Sequence, residues 1–560
     1  MNRKASFSAA VVVFAGSATG WGNAGPTNHG RAKILTVETA VNPSSALQID
    51  FEVTTSKPTS IVVTYFDPLE PEYISSKPTD LHAVNDFSIV RLKADSGYQY
   101  KVVATDQYGK RSKPAYGTFI TGSLPPGLNQ PITRIENVNG PGTTYPTLFD
   151  FNHSDPPIAG QTTTPFNGHV VLDSKARVVW YHANEFRPRA GHSKAPFEID
   201  RMANGNFVHD IGPAGRSWDG RLLEITPYGE VVHIGPSICT NGTRLPGLGG
   251  AHHEITPLAD GKVLYLGRRV DSFTSLGLTA LQEQTTIREW DPITNDDREV
   301  WRPAIFFDPS KHRGVDSNAT IALGCSKQLT AQEWMHGNAL TPGLSGNYLF
   351  NSRYLNETVS LSSAPDPRSP STAHCYPTEV GRSDVQCVQW IVGGPLSDFK
   401  FPDATDRFWG QHSPFEIPNP DPNKTNLLVY DNGFHRPEGQ YTRALELELD
   451  FTTMTARKVW EYRHDPDIFT AAVGRVMRLD NGNTLVNFGF GTSPTQNDPN
   501  VTHHIVEVTR NGVVRADIEL RSFGKAVQYR SHVMPSIAGE QVVTADDYYD
   551  DPGAFEGDDE

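Results

Sequence analysis

A phrase present in six copies constrains the fold more than any other feature: an apolar or aromatic segment, a turn, then a second apolar strand. It runs from Ile199 to Phe207 through Asn204-Gly205, from Ile255 to Leu266 through Asp260-Gly261, and from Leu340 to Phe350 through Ser345-Gly346. It returns from Ile417 to Tyr430 around Asn423-Lys424, from Met477 to Phe488 through Asn481-Gly482, and from Met534 to Val543 through Ala538-Gly539. The turns are unevenly spaced, which a solenoid tolerates poorly and a propeller with loop insertions at one face tolerates well. Between these hairpins lie others: Leu222 to Ile234, Ile287 to Trp301, Leu445 to Tyr462 and Ile505 to Ile518. Two hairpins per unit make a four-stranded blade. The sixth inner hairpin has no outer one after it, while Val170–Leu172 and Val178–Tyr181 stand unpartnered near the start. Joining the two closes a six-bladed ring and removes exposed sheet edges.

Ahead of the repeats, Leu47, Ile49, Phe51 and Val53 alternate with polar neighbours, and Tyr98, Tyr100 and Val102 alternate again, as strands of a small sandwich do. Leu92 to Tyr100 resembles the tyrosine-corner strand of fibronectin type III modules, and Gly117-Thr118-Phe119 their last strand. The predicted fold class is therefore all-β: a six-bladed β-propeller over residues 164–545, preceded by a fibronectin-III-like β-sandwich over 30–123. A stretch rich in Gly, Pro, Thr and Asn, 124–163, reads as the linker between them.

The ends read differently. Met1-Asn2-Arg3-Lys4, a short run of small and apolar residues, and Gly22-Asn23-Ala24 have the order of a secretory signal over 1–24, which predicts a secreted or extracytoplasmic protein. The run is too short to span a bilayer, so no stable membrane insertion is expected. Residues 546–560 form an acidic tail that carries more than half of the net charge of -15 and reads as solvated. Without a basic run the chain is a poor nucleic-acid binder. In an oxidising compartment Cys375 pairs with Cys387 across a short loop, and Cys239 with Cys325; no Cys-x-x-Cys occurs to suggest a thiolate metal site. Acceptor sequences at Asn152, Asn241, Asn318, Asn356, Asn423 and Asn500 are compatible with a glycoprotein.

In a propeller the start of each inner strand lies nearest the central channel. Three consecutive units carry histidine there: His336 precedes Pro342 by six residues, His412 precedes Pro418 by six, and His252 and His253 precede Pro257 by five and four. Even separation puts His253 on the same face as the other two on a regular strand, whereas a single bulge substitutes His252. Asn338 lies two residues after His336 on the same face, and Arg353 follows the same inner hairpin. A guanidinium among imidazoles repels a metal cation and suits a tetrahedral oxyanion, which it binds through paired N–H donors.

With Gly410-Gln411-His412, Asp431-Asn432-Gly433 and Asn481-Gly482-Asn483-Thr484 added in order, the stretch from Thr164 to Ala545 resembles the aryl sulfate sulfotransferase family. Those enzymes move a sulfuryl group between phenols without a nucleotide sulfate donor. The resemblance implies a ping-pong reaction in which His412 is transiently sulfated, while His336, Asn338, Arg353 and the His252/His253 pair hold sulfuryl oxygens or move protons. Tyr529 matches a further channel-lining position, and Thr470 is the candidate for a hydroxyl in the fifth blade. Partners are small aryl sulfates and phenols; no cofactor and no metal is implied. Glu254 stands where Asp is commoner in the family, and Ala339 where Ser is. Two other classes fit the same residues: a metal-dependent propeller hydrolase or lyase, and a secreted ligand-binding protein without turnover.

Overall fold

A computed structural model describes residues 30–125, 128, 132–136, 147–153, 166–183, 198–211, 220–236, 239–240, 243–244, 248–323, 329–368, 374–375, 382–489, 500–523 and 526–549. It is all-β, with six small sheets arranged as a six-bladed propeller. The first blade is built from Ile199–Arg201, Phe207–Ile211, Arg221–Ile225 and Val231–Ile234. The second centres on Ile255–Pro257, Val263–Asp271, Gln282–Trp290 and Asp297–Trp301, and the third on Gly337–Pro342, Tyr348–Ser352, Glu357–Ser362 and Cys387–Gly393. His412–Ile417, Lys424–Asp431, Arg443–Asp450 and Thr455–Tyr462 make the fourth. The fifth uses Arg475–Arg478, Thr484–Phe488, Asn500–Val508 and Val514–Phe523.

Side chains alternate between the two faces of a strand, and each face of a blade packs on a different neighbour. Leu427 and Val429 join Leu349 and Trp390 of the third blade, while Leu428 and Tyr430 turn the other way onto Val486 and Val506 of the fifth. Leu349 and Phe350 divide in the same manner between the fourth blade and the second. Val208 and Leu222 meet Ile255 and Trp290 across the first seam. The ring is completed by Leu485 and Ile505 against Phe149 and Leu172, and by Val171 and Val179 against Ile199 and Phe207.

Closure uses the expected outer hairpin but a different inner partner. Ser531–Val533 pairs with Thr147–His153, which pairs with Asn167–Leu172 and through it with Val178–Ala183. The hairpin expected from Met534 to Val543 does not form. Gln541–Val543 instead joins Tyr73–Ser75 of the N-terminal domain. The linker expected over 124–163 also contributes structure, since Thr147–His153 belongs to the closing blade and Ile132–Glu136 adds a fifth strand to the fifth blade. These strands escape a reading by repeats because each has a partner near the opposite end of the chain.

The N-terminal domain is one continuous hydrogen-bonded sheet, since the 19-residue strand Ile49–Asp67 pairs with Ile34–Val41 and His82–Ile89 along its first half and with Gly97–Asp106 and Glu70–Ser75 along its second. Phe51, Val53, Val63, Tyr65, Tyr98 and Val102 fill its core, and the Tyr98 hydroxyl accepts the Lys93 N–H at 2.9 Å. The fibronectin-III likeness expected for it is not confirmed by this topology. The acidic tail is not solvated from its start, because Ala545–Tyr549 is helical and Tyr548 packs on Phe66 and Tyr73. The signal segment, the end of the tail and Cys325 lie outside the described residues. Cys375 and Cys387 form a disulfide in the third blade. Among the described residues no helix is long and apolar enough to cross a membrane.

In the fourth blade Asp431, fully buried, accepts Arg436 Nη2 at 2.5 Å, Arg443 Nε at 2.8 Å and the Trp409 N–H at 2.9 Å. Removing the carboxylate leaves two guanidinium groups buried with their shared anion gone. Asp431→Ala is expected to cost about 3–5 kcal/mol, read as a lower denaturant midpoint with an unchanged slope.

Candidate active site

The inner strands of four consecutive blades begin irregularly, and the irregularities share one conformation. His253, His336, Ser413 and Val473 have φ of 64°, 51°, 49° and 58°. Left-handed backbone is uncommon for residues other than glycine and is an outlier for a β-branched one such as Val473. Register shifts follow at Gly337/Ala339 and His412/Phe415. Each bulge turns the chain as it enters its blade, so that neighbouring entries aim their groups at one spot.

Three of the four expected histidines and Tyr529 form a chain of rings. His253 meets His336 edge-on at 4.9 Å between centroids and Tyr529 at 5.6 Å, and Tyr529 meets His412 at 6.3 Å. His252 stands behind His253, with Nδ1 to Nδ1 at 2.6 Å. The Gly267 carbonyl, 3.3 Å from His252 Nε2, takes that N–H. His252 Nδ1 is then the acceptor and His253 Nδ1–H the donor. Of the two histidines between which the sequence leaves the choice open, His253 is the one ringed by His336 and Tyr529, and His252 packs against it.

His412 is 1% exposed. Its Nδ1–H donates to Asn432 Oδ1 at 2.7 Å, which places the lone pair on Nε2, where the Val473 N–H points from 3.2 Å. Asn432 is itself fixed by donating to the carbonyls of Thr470 and Val473 at 2.9 and 3.0 Å. Burial, and then the Arg353 charge, holds the His412 imidazole well below its usual pKa, so it is neutral at neutral pH. His336 donates Nδ1–H to Glu333 at 2.8 Å. Burial also lowers His336, against the pull of Glu333. Glu333 is held below the usual carboxylate range because His336 and Arg268 outweigh its burial.

Arg353 donates Nη2 to the Ala471 carbonyl at 3.0 Å and lies over the rings of Phe434 and Tyr354 at 4.7 and 5.5 Å. Among the described residues its buried Nε has no hydrogen-bond partner. A donor left in this state is suited to an anionic oxygen arriving from outside.

Two expected substrate contacts, Thr470 and Asn338, are held by hydrogen bonds within the protein. Thr470 is fully buried, its hydroxyl 2.8 Å from Tyr430 Oη and 3.2 Å from Thr442 Oγ1, beneath Asn432. Asn338 is equally buried and uses its amide to donate to the Gln411 carbonyl at 2.9 Å, fixing the residue before His412. Its own carbonyl receives Tyr529 Oη–H at 3.2 Å and Arg530 Nη2 at 2.8 Å. Below this layer Arg530 pairs with Glu254 at 2.5 Å and Glu198 at 3.0 Å. Glu254 also accepts the Leu340 N–H, joining the second, third and closing blades.

The roles of Asn432, Glu333 and Val473 are not assigned from sequence. Asn432 lies two residues beyond Tyr430, the cross-strand partner of His412, so a hairpin register drawn out in full points to it. Glu333 lies three residues before His336, whose own left-handed backbone period counting does not foresee. Val473 acts through its backbone, to which side-chain identity is no guide.

A tautomer-fixed imidazole and an arginine with no carboxylate partner among the described residues, set where the blades of a propeller meet, are groups suited to group transfer. The family model for arylsulfotransferases (ASST) matches residues 134–365 and 383–530, and the chain belongs to that family. No curated protein matches it. Among solved structures it is similar to the tricorn protease at 9% identity and a TM-score of 0.26, over 80% of this chain and 42% of that one. It is also similar to a DUF4623 family protein from Bacteroides eggerthii DSM 20697 at 7% identity and a TM-score of 0.20, over 88% and 95% of the two chains. Likenesses this distant carry no argument.

In nitrogen-15 histidine spectra, His412 is expected to remain neutral and Nδ1-protonated at pH 6, where an ordinary histidine of pKa ~6.5 is mostly charged. Asn432→Leu removes the acceptor and should let the proton redistribute to Nε2.

Proposed function

We propose that the protein transfers sulfuryl groups from aryl sulfate esters to phenols, without a nucleotide donor, through a sulfated His412. The observation that carries this reading is the buried His412 imidazole, its Nδ1–H held on Asn432 and its Nε2 turned to the Val473 N–H, in a centre where Arg353 keeps a buried Nε without a hydrogen-bond partner among the described residues. In the first half-reaction Nε2 attacks sulfur, the N–S bond forms as the S–O bond breaks, and the phenolate leaves with the electron pair. Positive charge developing on the ring is stabilised by the Asn432 carbonyl oxygen. Negative charge on the sulfuryl oxygens is met by Arg353, and by the Val473 N–H as it passes from Nε2 to an oxygen.

A phenol has a pKa of about 10, so its departure is aided by a proton. His336, backed by Glu333, supplies it: an arriving sulfate anion favours the imidazolium that burial otherwise opposes. His253, next to His336, is placed to share that proton. In the second half-reaction the neutral histidine accepts the proton of an incoming phenol, whose oxygen takes the sulfuryl group and frees Nε2. Positioning and charge stabilisation are the main demands, by analogy with loose phosphoryl transfer. We place the enzyme in an oxidising, extracytoplasmic compartment, a reading supported by the Cys375–Cys387 disulfide.

Incubation with p-nitrophenyl sulfate should release p-nitrophenol in an acceptor-dependent manner, and without acceptor the protein should gain the mass of one sulfuryl group. His412→Ala should abolish both signals while keeping the fold. Arg353→Gln should lower turnover by about 10²–10³-fold. Release that ignores the phenol would assign water as the acceptor, and full activity in His412→Ala would remove the nucleophile from this scheme.

A further inference from the structure

A second cluster of ligating side chains lies outside the histidine ring, and from it we infer a binding site for one zinc-type divalent cation, formed by His464, His504 and Asp517. His504 and Asp517 stand on adjacent strands of the fifth blade. Asp517 pairs across the ladder with Val506, which puts it diagonal to His504 on the same sheet face. His464 reaches them from the segment that leaves the fourth blade after Tyr462. One donor atom from each residue lies within 4.8 Å of the others.

The separations suit a metal. His464 Nε2 is 3.3 Å from Asp517 Oδ2, and His504 Nδ1 is 3.0 and 3.1 Å from the two carboxylate oxygens. Zinc bonds of about 2.0–2.1 Å in tetrahedral geometry set donor atoms roughly 3.3 Å apart. His464 Nδ1–H donates to the Pro466 carbonyl at 2.9 Å, the outer contact that fixes tautomer and ring orientation in metal-bound histidines. That bond leaves the Nε2 lone pair facing a carboxylate oxygen, an arrangement that repels unless a cation sits between them. The ion pairs Asp517 makes among the described residues are with these two histidines; no lysine or arginine joins them. A proton on His464 also satisfies these contacts, whereas a metal engages one donor from each of the three residues and takes water as a fourth ligand. The side chains are 12–14% exposed, so an ion can enter. Two imidazoles and one carboxylate favour zinc and its neighbours over the oxygen-seeking calcium and magnesium.

The site has a structural consequence for the centre around His412. The segment that His464 begins continues to Thr470, Ala471 and Val473, which supply the carbonyl that holds Arg353 and the N–H on His412. A cation here fastens that segment to the fifth blade without taking part in the reaction.

The test uses the full chain, stripped with a chelator and titrated with zinc chloride by calorimetry, and separately with cobalt(II) followed in the visible region. One saturable zinc equivalent is expected, with the intense absorption of tetrahedral cobalt and a zinc-dependent rise in the thermal midpoint. Asp517→Asn and His504→Gln should weaken zinc binding at least about 100-fold and lose the thermal shift with an unchanged far-ultraviolet spectrum. A wild-type chain that binds no zinc overturns the proposal in favour of a bridging proton. Equal binding by both variants overturns it by placing the ion elsewhere, such as at His252, His253 and His336. Should a variant misfold, absence of tetrahedral bands from wild-type cobalt protein overturns it independently.

Discussion

Every blade of this protein must bury both faces of its sheet, and a closed ring satisfies that demand by giving each blade two neighbours. Leu427 and Leu428, adjacent in sequence, serve different seams, as do Leu349 and Phe350. The same ring crowds the inner strands toward one axis. A regular strand entering there would point alternate side chains into its neighbours, and the chain instead enters through left-handed residues. Strain at His253, His336 and Val473 is held in place by the packing outside it. The histidine cluster therefore rests on seams that contain none of its members.

The architecture was legible because two-residue turns between apolar strands are local signals. Five of the six inner hairpins and the four outer ones stand where the alternation of Ile255–Leu266 or Leu445–Tyr462 places them. The sixth was not legible. Ser531–Val533 is short, and its partner Thr147–His153 lies in a stretch whose Gly, Pro and Thr content reads as loop. The histidine cluster was legible because the residue type stands out on a strand and its spacing survives a bulge. Asn432 and Glu333 required cross-strand register and turn geometry, and Val473 contributes an N–H that any residue but proline would supply.

Charge in the centre is arranged in layers. Arg530 is matched by Glu254 and Glu198, and Arg268 by Glu283 and Glu333. These buried groups neutralise one another and fix the blades in register. Among the described residues Arg353 has no carboxylate partner, only a carbonyl and two aromatic faces. The net charge of -15 thus says little about the site.

The closing blade joins the two ends of the domain: Asp150 accepts the N–H groups of Tyr529 and Arg530, 379 and 380 residues further along the chain. During synthesis the strand that holds Asp150 emerges early and waits for nearly the whole propeller to follow. The first five blades can form in order behind it, but their outer members face water until the last strand arrives. Tyr529 and the Asn338 carbonyl that it meets come together at that same step. The candidate site is therefore a product of completion: a chain that stops between Phe523 and Tyr529 has the strands of its first five blades and lacks the contacts that Tyr529 and Arg530 bring to the centre.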